Sequence, residues 1–92
     1  MIILSWEHIN GTTSATPGTT TTVTFPHRTR SLLIDNRSTT SNMYFSMDNG
    51  SAFKTIDPRG SVTIDTEALK TLVVKSDGAS QSYEILNGYV YV

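Results

Sequence analysis

The sequence predicts an all-β domain, a small antiparallel β-sandwich or barrel of about seven or eight short strands, and three observations carry that prediction. Short apolar runs recur at intervals of roughly 8–12 residues, the spacing of strands in small β domains. The runs are cut by Asp48-Asn49-Gly50 and Asp57-Pro58-Arg59-Gly60, two strong turn signals. Hydroxyl residues are abundant, with fifteen Thr and eleven Ser among 92 residues. Thr is β-branched and favours extended backbone. A jelly-roll, a Greek key and a plain meander all satisfy this pattern.

The opening segment, Met1 to Asn10, begins with four consecutive apolar residues and has no basic stretch before them. It is too short for a signal peptide or a membrane span, and it reads as a first strand or a docking arm. Gly11–Thr24 is the densest hydroxyl stretch. A Ser/Thr/Pro linker competes there with a Pro17-Gly18 loop followed by a strand from Thr19 to Phe25. The strand is favoured, because Val23 and Phe25 stand two apart on one face. Residues 1–18 are thus expected to form an N-terminal strand or arm with a Thr-rich loop, and residues 19–92 a β-sandwich body.

Pro26 is expected to end its strand, since it donates no ladder hydrogen bond. Leu32 and Ile34 then mark the inner face of 31–36, and Met43, Phe45 and Met47 that of the next strand. Asn49-Gly50 tolerates the positive φ of a primed turn. Phe53–Ile56 returns, and Asp57-Pro58-Arg59-Gly60 fits a type I turn. Val62 and Ile64 alternate, and Asp65–Ala68 is the one place where a single helical turn fits. Leu69–Lys75 reads as a strand buried on both faces at Leu72, Val73 and Val74. Asp77-Gly78 turns the chain, Gln81–Leu86 returns, and Asn87-Gly88 reads as a turn before Tyr89–Val92.

Composition bounds the function. A chain of this length makes one domain with a modest core, and an apolar content of 37% suggests that contacts with a partner or with other copies add stability. The absence of cysteine excludes disulfides and thiolate metal sites within these residues. Seven basic and eight acidic residues are spread along the chain, so neither nucleic acid nor an anionic membrane is implied as a partner.

Catalytic patterns are missing. His8 and His27 stand in separate segments without a zinc-like set or a nucleophile to polarise, and edge or loop histidines are the plainer reading. Asp48, Asp57 and Asp77 are explained by turns, and no calcium-loop, nucleophile-elbow or phosphate-loop spacing occurs. No catalytic, cofactor or metal residue is therefore assigned, and the chain reads as a non-enzyme without a cofactor. Arg28, Arg30 and Arg37 form a basic cluster suited to a carboxylate-rich partner or to a solvated strand flank. Trp6, Tyr44, Tyr83, Tyr89 and Tyr91 are either half-buried core residues or an exposed aromatic set able to stack on sugars.

Leu33–Ser76 resembles small β-sandwich virion structural proteins of tailed bacteriophages, of the head decoration or cement type. The resemblance rests on Ile34-Asp35-Asn36-Arg37-Ser38, Tyr44-Phe45-Ser46-Met47-Asp48-Asn49-Gly50, Ile56-Asp57-Pro58-Arg59-Gly60 and Lys70-Thr71-Leu72-Val73-Val74-Lys75. It covers about half the chain. It implies a capsid decoration protein on the outer phage head, with the phage major capsid protein or other virion subunits as partners. It also implies a homo-oligomer, a trimer being favoured, made in the bacterial cytoplasm and residing in the virion. A glycan-binding β-sandwich module and a tail or baseplate accessory protein are the alternatives. The expected partner contacts are Met1, Ile2, Ile3, Leu4, Trp6, Arg28, Arg30, Tyr89 and Tyr91, together with the loop Gly11–Gly18.

Overall fold

A computed structural model describes residues 3–91, and it is all-β and antiparallel throughout. Six strands, β1 (Ile3–Thr12), β2 (Thr21–Asn36), β3 (Met43–Ser46), β4 (Lys54–Ile56), β5 (Ser61–Ser76) and β6 (Ser82–Tyr91), form one sheet in the order β1-β6-β2-β5-β3-β4. Segments that read as separate short strands are here halves of two 16-residue strands. Pro26 does not end β2. It falls in a ladder break between Thr24 and Thr29, where its missing N–H leaves no partner unpaired. Nor does Asp65–Ala68 make a helical turn, because β5 runs through it opposite the same irregularity.

These breaks bend the sheet. Sixteen residues at a rise of about 3.3 Å would reach about 50 Å if straight, whereas the longest dimension of the molecule is 43 Å. On one side of the bend, residues 31–35 of β2 pair with residues 61–65 of β5, and β6 and β1 continue the sheet. On the other side, Thr21–Thr24 pair with residues 71–74, and β3 and β4 continue it. The two halves share a single core. Leu32, Ile34, Tyr83 and Ile85 from the first half join Val23, Phe25, Met43, Phe45, Ile56, Leu72 and Val74 from the second. Phe25, Leu32, Ile34, Leu72, Val74 and Ile85 are completely buried, and each such side chain stabilises the fold by about 1.5–3 kcal/mol.

Two turns show how local chemistry closes this sheet. Asn49 and Gly50 both take positive φ (58° and 86°), as their residue types favour. The Asp48 carboxylate accepts from the Ser46 hydroxyl at 2.5 Å and from the Ala52 N–H at 3.1 Å, which holds its pKa below the usual carboxylate value. In Asp57-Pro58-Arg59-Gly60 the Gly60 N–H donates to the Asp57 carbonyl at 2.8 Å. Arg59, however, has φ 60°, so the turn is of type II rather than type I. The Arg59 N–H donates to the Ser38 carbonyl at 2.9 Å, a contact that helps hold the strained residue in place.

A buried asparagine locks the loop after β2. Asn36 Nδ2 donates to the carbonyls of Ser41 (2.9 Å), Ile56 (3.1 Å) and Asp57 (3.1 Å), and its Oδ1 accepts from the Ser38 N–H at 3.1 Å. One side chain thus ties the 38–42 loop to the end of β4. No helix among the described residues is long and apolar enough to cross a membrane.

Candidate functional site

Of the residues that the sequence singles out as contacts, Ile3, Leu4, Trp6, Arg28, Arg30, Tyr89 and Tyr91 stand toward one end of the β1-β6-β2 half, whereas the loop Gly11–Gly18 leaves the opposite end of β1, where the Thr13 N–H donates to the Gln81 carbonyl. Ile3 pairs with Tyr91, Leu4 with Val90 and Ser5 with Tyr89, and Tyr89 pairs in turn with Thr29, which stands between Arg28 and Arg30. Met1 and Ile2 lie outside the described residues. Arg30 is exposed, while Arg28 Nη1 donates to the Ala68 carbonyl at 3.5 Å across the bulge. Arg37 belongs elsewhere: it bonds Glu84, so the three arginines do not form one basic patch.

Alternation divides the side chains of this half between two faces. Ile9, Ile85 and Ile34 stand in register on the inner face against the core. Tyr89 shares that parity, and its ring stacks on the His27 imidazole with centroids 4.1 Å apart and planes 6° from parallel. His27 Nδ1 donates to Glu7 Oε1 at 2.5 Å. Beneath them, Asn87 is fully buried, its Nδ2 donating to Thr29 Oγ1 at 3.2 Å, and the Thr66 hydroxyl donates to the Thr29 carbonyl. The Asn87 Oδ1 has no hydrogen-bond partner among the described residues. Tyr89 is therefore not a free stacking platform. Tyr44 is not one either: its hydroxyl donates to Asp77 at 2.9 Å, and Lys75 Nζ lies 5.6 Å from its ring and 4.2 Å from that of Phe53.

Sequence reasoning missed the use made of two glycines. Gly88 is no turn; it lies within β6, directly opposite Trp6. A Cβ built on Gly88 would stand 2.9–3.1 Å from three carbons of the indole benzo ring, so the ring lies face down on the glycine. On the inner face Tyr83 covers its partner Gly11 in the same way. Glycine opposite a large ring in an antiparallel pair leaves room for the ring to lie flat on the backbone. A signal was available, an aromatic and a glycine at matching places in two strands, but it is readable only once the register is known.

Trp6 is 49% exposed, and the outward face continues from it along the strands. One register step on stand His8, Leu86 and Leu33, and one further on stand Asn10, Glu84 and Asp35. His8, Leu33, Asp35, Glu84 and Leu86 line an open depression of about 260 Å³. Glu84 accepts from His8 Nε2 on one oxygen and from Arg37 Nη1 on the other. The His8 contact, and after it the Arg37 guanidinium, hold Glu84 below the usual carboxylate range. Asp35 lies 3.9 Å from the same guanidinium. Neither histidine belongs to a metal-binding set, since no cluster of three or more metal-ligating side chains occurs among the described residues.

A scan against protein-family models finds no match, and a search of curated proteins finds none. Solved structures do match. The subunit fold in Bacillus endospore appendages, which form disulfide-linked pili, superposes with a TM-score of 0.63 at 11% identity, over 99% of this chain and 88% of that one. In fold, this chain is similar to a Bacillus endospore appendage protein. The crystal structure of the STIV MCP superposes with a TM-score of 0.46 at 14% identity, covering 95% of this chain and 48% of the other.

Proposed function

We infer that this chain is a non-enzymatic structural protein of a bacteriophage particle, a decoration protein that docks on the outer head. Its docking end is the one where the start of β1, the finish of β6 and the bulge of β2 meet. The observation that carries this reading is the position of β1. Ten residues pair with β6 along one side only, at the edge of the sheet, and Arg28 and Arg30 stand on β2 across β6 from its start. An edge strand offers a row of N–H and C=O groups to a partner strand, and nearby arginines add bidentate grip on carboxylates. The appendage protein of similar fold assembles into pili, which supports an assembly role. These 92 residues hold no cysteine, so no disulfide through them joins subunits.

Charge reversal at the docking end tests the reading. Arg30→Glu is expected to lower binding to purified phage heads at least about tenfold, equivalent to about 1.4 kcal/mol, with the melting temperature unchanged. Undiminished binding by a folded Arg30→Glu chain would remove that end as the docking surface.

A further inference from the structure

We propose that the outward face of β1-β6-β2 is a glycan-binding site, with Trp6 as the platform on which a hexopyranose ring stacks. The site adjoins the docking end, with Trp6 one register position along from the Ser5–Tyr89 pair, and it does not depend on where the chain resides. Gly88 seats the indole flat, so one ring face is covered by backbone and the opposite face looks outward. A flat, outward-facing indole with its orientation fixed matches the C–H face of a pyranose, because the negative potential of the ring face attracts polarised C–H bonds. Preorganisation lowers the ordering cost of binding a flexible ligand.

The rest of the face supplies what the hydroxyl edge of a sugar requires. The depression begins about 7 Å along the strands from Trp6, one register step away, with Leu86 and Leu33 as its apolar floor. It is lined by the Asp35 and Glu84 carboxylates as hydroxyl acceptors and by His8 as a donor, and Arg37 bonds Glu84 beside it. The mutual bonds of Glu84, His8 and Arg37 hold these groups in place without a ligand. Charge-assisted hydrogen bonds of this kind give orientation as well as strength. A short oligosaccharide with one ring on Trp6 and the next over the depression uses both parts. A protein partner fits less well, because interface cores are depleted of charge and here four ionisable side chains crowd three apolar ones.

Trp6 is the one tryptophan of the chain, so its fluorescence reports on the platform alone. The full chain is titrated with cellotetraose, chitotetraose, mannotetraose and galactotetraose. The expected result is a saturable blue shift with at least one of the four. Asp35→Asn should weaken that binding about tenfold while the melting temperature holds, and Trp6→Ala should abolish it when read by calorimetry. No saturable change with any of the four overturns the proposal, as does calorimetric binding that survives Trp6→Ala. An emission maximum that moves with protein concentration alone means that a second copy covers the face, which also overturns it. A chain that binds a tetrasaccharide but is absent from phage particles keeps this site and loses the virion role.

Discussion

Trp6 lies face down on Gly88, its directly opposed partner across the β1–β6 ladder, and this pairing shapes the outward surface of the protein. The glycine removes the one side chain that would tilt the indole, and the indole shields backbone that glycine leaves bare. The inner-face pair of Tyr83 on Gly11 repeats the arrangement a few residues along the same two strands.

Adding a methyl group at either glycine separates the two faces. Gly88→Ala places a Cβ 2.9 Å from the exposed indole, which is free to lift, so a loss of about 1 kcal/mol and a red shift of Trp6 emission are expected. Gly11→Ala places a Cβ 2.2 Å from the buried Tyr83 ring, which has core on its far side. The expected cost there is about 3 kcal/mol. Thermal melts of the two variants check the order.

Asn36→Ala withdraws the amide shared by three carbonyls and leaves them buried without that donor. The expected destabilisation is about 2–3 kcal/mol in urea unfolding. Hydrogen exchange should rise first at the Arg59 amide, which donates to Ser38 within the loop that Asn36 holds.

The Glu84 cluster makes stability pH-dependent with a definite sign. Because the folded state holds Glu84 below its ordinary value of 4.5, its contribution is fully present above that pH. It is lost as the pH falls through the depressed folded value. Glu84→Gln should therefore flatten the acid limb of a plot of melting temperature against pH below about 4.5, with the smallest relative change there.

The virion role also predicts association. Light scattering coupled to size exclusion is expected to give a trimer across a concentration series, and Arg30→Glu is expected to leave the subunit folded. A monomer at every concentration would leave single docking as the mode of binding.

Much of the fold is legible in the sequence because alternation is a local property. Val23 with Phe25, Leu32 with Ile34, and Met43 with Phe45 read as inward pairs, and all six are buried. Asn49-Gly50 reads as a positive-φ turn for reasons contained in those two residues. The features that escape it depend on partners far along the chain. Asn87-Gly88 looks like a turn until Trp6 stands opposite it, and Pro26 looks like a strand end until the ladder break absorbs its missing N–H. In β6 both faces carry large side chains, so sequence alone does not say whether Tyr89 points to the core or to solvent. The His27 ring stacked on Tyr89, with Glu7 beyond it, decides that question. The site residues on β1, β2 and β6 are individually visible, but their meeting at one end follows from the strand order β1-β6-β2, which alternation does not encode.

The most direct test of the virion role is to probe gradient-purified phage particles from the source of this chain with antibody against the recombinant protein. Copies are counted by quantitative mass spectrometry and located by gold labelling. The account predicts a fixed ratio of this chain to the major capsid subunit and label over the outer head. Particles that lack the chain, while it remains in the soluble fraction of the lysate, would contradict it.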